Sequence, residues 1–222
     1  MFVQSAYISL YAQAITGIVD LYGLTIDVEK EFQIFKELLA LETSVQVIEF
    51  IFYIWLVSQI KKNTNITKYR YLDWGLTTPI MLITLMAYYS NESSLADFFS
   101  KNTNIVAQVV SLNTIMLIMG YLGEDGFIDS KISATLGFIP FLIYYKLIYD
   151  NFVKNADSSK VKALFWYFLV TWSIYGVAAY FPYELKNTMY NILDLFSKNL
   201  FGLFLVYYTW TKRKRPQESL NK

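Results

Sequence analysis

The stretch LDLFSKNLFGLF, residues 193–204, lies within a long apolar run yet carries Asp194 and Lys198 four residues apart. In a bilayer, a charge at the centre of a helix costs at least about 2.5–3.5 kcal/mol on the mildest insertion scales, so each needs a partner or a task. Whether the chain around this stretch is a membrane bundle decides the fold.

Composition answers that. The chain has 222 residues, 55% of them hydrophobic and 18% aromatic, with a mean hydropathy of +0.33, too apolar for a soluble domain of this size. Windows of about 20 residues, enough to cross about 30 Å of hydrocarbon, fall at 3–24, 36–60, 69–90, 102–122, 131–153, 160–181 and 187–210. The connections KKNTN, NESSLAD, EDG and KNADSSK are short and polar and leave no room for a second domain. The expectation is an all-α, seven-transmembrane-helix bundle forming a single domain over residues 1–222. With no Cys and no His, disulfides, thiol nucleophiles, histidine metal sites and imidazole proton shuttles are excluded. A non-enzymatic protein without a metal is expected.

The N-terminal MFVQSAY lacks a basic region and a small-residue cleavage pattern, so it reads as the start of the first helix. Lys212, Arg213, Lys214 and Arg215 follow the seventh helix directly, and the positive-inside tendency places this basic tail, 212–222, in the cytoplasm and the N-terminus outside. Lys61, Lys62 and Lys68, on the expected outer side, oppose that rule. The tail is read as a topology signal and a lipid-headgroup contact.

A second charged set sits in RYLDWGLTTPIMLITL, residues 70–85, where Asp73 and Thr77 share a helix face and Arg70 is one turn from Asp73. Two carboxylates, one guanidinium and one amine can neutralise one another as a purely structural network. The other use is chemical: a desolvated lysine is a nucleophilic amine able to condense with an aldehyde, and the resulting protonated imine needs a carboxylate beside it. Asp73 and Asp194 are the candidate counterions, with Arg70 steadying them.

The patterns RYLDWxxTTP on the third helix and DxxxK on the seventh resemble the microbial rhodopsins. MLIMGYLG (116–123) and WSIY (172–175) are similar to that family's retinal-lining positions. The resemblance implies all-trans retinal bound covalently as a Schiff base on Lys198. It also implies Asp73 as proton acceptor, Asp194 as second counterion, and a pocket of Trp74, Thr77, Thr78, Met116, Gly120, Trp172 and Tyr175. Two positions depart from the pattern: Gly176 stands where the family has proline, and Ala179 where it has an aromatic. Outward proton pumps of the family place a carboxylate about three turns beyond the third-helix counterion, where this chain has Thr84.

In KELLALETSVQVIEFIFYIW (36–55), Glu42 and Glu49 lie two turns apart with Gln46 between them on one face. Ser9 on the first helix and Asn191 and Asn199 on the seventh can face this stripe. Oxygens that replace a cation's water shell, with negative charge excluding anions, are what a cation path requires. The competing reading has Glu42 snorkelling to an interface and the asparagines bridging helices. The two helix glutamates and the asparagine in SKN resemble light-gated cation channels, most of all the first group of viral rhodopsins, which implies conduction of monovalent cations. A light-driven outward proton pump and a sensory rhodopsin are the alternatives. On the channel reading Glu49 belongs to the ion path and not to the chromophore. The partners expected are the lipid bilayer and monovalent cations or protons, with no nucleic acid; a homo-oligomer is left open.

Overall fold

The first helix shows how this chain folds. Its buried positions include Ser5, Ser9, Gln13, Thr16 and Asp20, spaced by three or four residues, while Ile8, Ile15, Ile18 and Leu21 point outward, Ile18 being 68% exposed. Polar groups face the bundle and apolar ones the surroundings, the arrangement expected where the outer solvent is lipid.

In the computed structural model, residues 1–60, 62 and 65–214 are described; Lys61 and the tail from Arg215 onward lie outside them. Helices α1 (Phe2–Leu24), α2 (Gln33–Ile60), α3 (Thr67–Ser90), α4 (Leu95–Glu124), α5 (Ser130–Ile148), α6 (Ser159–Ala178), α7 (Tyr183–Asp194) and α8 (Leu200–Thr211) follow in order. A π-helical turn, Leu195–Asn199, joins α7 to α8, so these two pieces are one rod and the bundle has seven. Among the described residues no strand forms; one isolated antiparallel bridge links Val28 and Arg213. Five helices, α1, α2 and α4 to α6, are long and apolar enough to cross a membrane by length and composition. The other two rods, α3 and α7–α8, carry Arg70, Asp73, Asp194 and Lys198.

The fourth helix starts seven residues before the expected 102 because Ser94 caps it, accepting from the Asp97 backbone N–H at 3.1 Å; part of NESSLAD is therefore helix. At 30 residues, α4 is about 45 Å long at 1.5 Å per residue. Asp129 caps α5 by accepting from Lys131 and Ile132 backbone N–H groups at 3.0 and 3.1 Å. The sixth helix ends at Ala178, short of the expected 181, with Pro182 ahead of α7. Asn91, at φ +56°, turns the chain out of α3.

Neighbours in the bundle are α1 against α2, α7 and α8, α2 against α3 and α8, α3 against α4, α4 against α5, and α6 against α7. This places the polar faces of α1, α2 and α7–α8 against one another. At one end, the Lys214 backbone N–H donates to the Asp27 carbonyl at 2.8 Å and the Lys212 ammonium lies 4.0 Å over the Phe32 ring, pinning the start of the tail to the α1–α2 connection. At the other end Lys68 pairs with Asp125 at 3.5 Å. There too, Lys186 pairs with Glu124 across α7 and α4.

Candidate functional site

The centre of the site is made by the π turn. Ser197, Lys198 and Asn199 are buried in succession within it and turn toward different neighbours, Ser197 toward the Tyr175 hydroxyl of α6. One extra residue in the turn lets Lys198 aim at α2 and α3 while Asn199 aims at α1, where its amide donates to Thr16 Oγ1 at 2.9 Å. Such insertions recur at functional sites. DxxxK spacing on a regular helix gave no sign of it.

Lys198 Nζ meets three carboxylates. It donates to Glu49 Oε2 and, at 3.1 Å, to Asp73 Oδ2, and lies 3.6 Å from Asp194 Oδ1. This departs from the expected division of labour: Glu49, assigned to the ion path, sits directly on the lysine. The reason is tertiary, since α2 packs against both α3 and the π turn.

Asp194 is held by other groups. Tyr53 donates to its Oδ2 at 2.6 Å and Tyr175 to its Oδ1 at 2.7 Å, while Arg70 Nη1 reaches Oδ2 at 3.4 Å. Arg70, fully buried, also donates from Nε to Asn187 Oδ1 at 3.0 Å and from Nη2 to Asn191 Oδ1. Its guanidinium lies 5.7, 5.9 and 5.6 Å from the ring centres of Phe52, Tyr53 and Tyr190. A buried charge needs this density of partners to repay its desolvation. Asn187, which accepts from Arg70, and Tyr53, which donates to Asp194, were not found from sequence; buried charges ask for such partners, but spacing along one helix does not name them.

Beyond Lys198 a cavity opens among α3 to α7. Trp74, Thr78, Met116, Gly120, Trp172 and Tyr175 line it with Lys198 and Ser197, as do Met81, Phe138 and Tyr144, which sequence reasoning missed. Thr77 is not among its lining: its hydroxyl donates to the Asp73 carbonyl at 3.0 Å. Gly176 and Ala179, the two departures, both line it. A Cβ on Gly176 would come within 2.4 Å of the Phe138 ring, so the aromatic of α5 takes the space that a larger residue on α6 would fill. Asn113 of α4 donates to Thr78 Oγ1 at 2.8 Å, tying that wall to α3.

On the other side of Lys198, between α1, α2 and α7–α8, a column of polar side chains runs along the bundle. Ser9 donates to the Asn191 carbonyl at 2.8 Å, and Asn191 Nδ2 to Ser5 Oγ at 2.9 Å. Both asparagines thus bridge helices. Glu42 is fully buried and so does not snorkel. Gln13 and Asp20 of α1 extend the column, fully buried, and neither was singled out from sequence. Their signal was present as polar residues at helical spacing on an otherwise apolar helix. Among the described residues, the side-chain polar atoms of Gln13, Asp20, Glu42 and Gln46 have no hydrogen-bond partner.

Comparison with known proteins agrees with this architecture. The family model described as bacteriorhodopsin-like protein matches residues 1–212. A green-light absorbing proteorhodopsin from gamma-proteobacterium EBAC31A08 is 23% identical over 164 residues, 66% of this chain and 62% of the relative, so the chain spans less than two thirds of that relative's length. Opsin-1 of Neurospora crassa is 26% identical over 169 residues, covering 68% of this chain and 51% of the relative. The crystal structure of the viral rhodopsin OLPVRII superposes with a TM-score of 0.80 at 26% identity, covering 95% of this chain and 98% of that one. The blue light-absorbing proteorhodopsin from Med12 shares the fold at a TM-score of 0.75 and 21% identity, covering 95% and 96%. A lysine-centred charge cluster beside an aromatic cavity in a seven-rod bundle, matched by this family model along nearly its whole length, makes the chain a member of the bacteriorhodopsin-like family, the microbial rhodopsins, which carry retinal covalently on a lysine.

Proposed function

We propose that this chain is a retinal photoreceptor that works as a light-gated channel for monovalent cations, with Lys198 carrying the chromophore. The residues fit that group. The cavity is almost wholly aromatic and aliphatic, and a single amine, Lys198, closes it beside three acids. Bound retinal supplies light absorption and a change of shape. The chain's own residues do the rest: Trp74, Trp172 and Tyr175 bound the slot, Glu49, Asp73 and Asp194 hold negative charge at the Lys198 nitrogen, and Arg70 fixes Asp194.

One observation carries the channel reading. Gln13, Asp20, Glu42 and Gln46 are fully buried, yet their side-chain polar atoms find no protein partner. Leaving a buried polar atom unpaired costs about 1–3 kcal/mol, so the column is stable only if water or an ion satisfies it. Two carboxyls in it favour a cation and repel anions. Thr84 supports the same reading. It is buried and its hydroxyl donates to the Ile80 carbonyl at 2.9 Å, so the position where outward pumps place a proton-donating carboxylate has none. In the proposed orientation the N-terminus is extracellular and the basic tail cytoplasmic.

Photocurrent against voltage tests the proposal. A channel reverses sign at the equilibrium potential of its cation and follows that potential when the gradient is changed. A current of one sign at all voltages, with acidification of unbuffered medium, would replace the channel by an outward proton pump. Absence of current with an intact photocycle would leave a sensor.

A further inference from the structure

The charge cluster holds one acid more than it holds bases. Glu49, Asp73 and Asp194 face Lys198 and Arg70, and all five are at most 4% exposed. With every group ionised the cluster keeps one net negative charge inside the membrane, which its surroundings cannot solvate. Asp194 does not take up the extra proton, because Tyr53, Tyr175 and Arg70 all donate to it. Glu49 and Asp73 are placed differently. Both reach the same Nζ, and each has a second oxygen, Glu49 Oε1 and Asp73 Oδ1, without a partner among the described residues. The remaining groups around them are Tyr53 on α2, Arg70 on α3, Tyr175 on α6 and Asp194 on α7, with Glu42 two turns away along α2; α1 contributes the neutral Ser5 and Ser9.

We infer that Glu49 and Asp73 share one proton in the dark and act as interchangeable counterions to the Lys198 nitrogen, so that either acid alone is sufficient. This rests on Lys198 being the retinal-bearing lysine. Two like-charged carboxyls converging on one cation hold a proton between them, as acid pairs in other sites do. Removing either acid also removes the surplus charge: the other ionises fully, and with Asp194 it balances Lys198 and Arg70. Removing both leaves Asp194 alone against two cations. Glu49 is therefore a colour-determining residue contributed by the second helix.

The test uses the retinal-reconstituted full chain and reads absorption and infrared spectra. Asp73→Asn and Glu49→Gln should each keep most of the visible band at about pH 8, while the double variant should lose it about tenfold or more, since a counterion within contact moves such an equilibrium by about one to three powers of ten. Acidification should restore the band in the double variant, which shows that the pocket is intact. In the dark, the wild-type spectrum should hold a carboxylic-acid C=O component that shifts in D2O and that the difference spectrum against each single variant shows to be lost, over and above any band from the buried Asp20 and Glu42 carboxyls. Loss of the visible band in Asp73→Asn alone, or its retention in the double variant, overturns the inference. So does absence of the infrared band in wild type, a measurement that needs no variant to fold. Lys198→Ala separates the two levels: a visible pigment in that variant sinks the retinal assignment, whereas the outcomes above, with Lys198→Ala colourless, sink only the shared counterion.

Discussion

Replacing Arg70 by Met removes a fully buried guanidinium while keeping most of its apolar bulk. Asp194 then loses its 3.4 Å contact to Nη1, Asn187 Oδ1 loses a 3.0 Å donor, and Asn191 Oδ1 keeps only the Tyr53 hydroxyl at 3.1 Å. Breaking one side of a buried ion pair costs about 3–5 kcal/mol, because the remaining charge stays in a medium that cannot solvate it. For a chain of this size each kcal/mol moves the unfolding midpoint by about 2–4 °C, so the expected fall is about 6–20 °C. The assay is loss of the visible band on heating the detergent-solubilised pigment, with wild type and variant scanned at one rate. Arg70→Lys should recover only part of the loss, since a single ammonium cannot reach Asn187, Asn191 and Asp194 from the planar positions a guanidinium offers. Arg70→Met/Asp194→Asn should lose less than the sum of the two single variants, because the second change removes the stranded charge. A fall below about 1 kcal/mol for Arg70→Met, or strict additivity in the double variant, would refute the claim that this pair holds α3 to α7.

Lys198→Ala should give no visible absorption when all-trans retinal is added to the purified chain; a stable coloured complex would move the attachment elsewhere. Glu49→Gln should shift the absorption maximum as well as the photocurrent, because Glu49 contacts Lys198 Nζ; a changed current with an unchanged spectrum would return Glu49 to the ion path alone. Gly202→Ala places a Cβ 2.7 Å from Asp20 Oδ2, so this carboxylate, which no hydrogen bond holds among the described residues, must swing aside; an altered photocurrent with the spectrum unchanged is expected, and an unchanged photocurrent would take Asp20 out of the ion path. Thr78→Val removes the acceptor of the 2.8 Å bond from Asn113, a residue whose Oδ1 already lacks a partner, and should destabilise the pigment by about 1–3 kcal/mol in thermal unfolding; equal stability would show that the two side chains part without cost.

The sequence by itself determined the bundle and most of the residues around the lysine. Seven apolar windows called for rods in lipid, and RYLDWxxTTP with DxxxK put acid, base and amine on two of them. Those features are local, and helical spacing converts them directly into faces. The polar column was legible on α2, where Glu42, Gln46 and Glu49 repeat by turns, but Gln13 and Asp20 carry the same periodicity on α1 and passed as incidental. Tertiary structure decided what spacing could not. The π turn at Leu195–Asn199 changes the direction of every side chain after it, and no residue in that stretch announces an extra residue per turn. The approach of α2 to that turn then brings Glu49 onto Lys198, setting a residue read as pore lining beside the amine as well. Which acid meets an amine depends on how three helices from distant parts of the chain sit against one another, and the pattern along any one helix does not contain that distance.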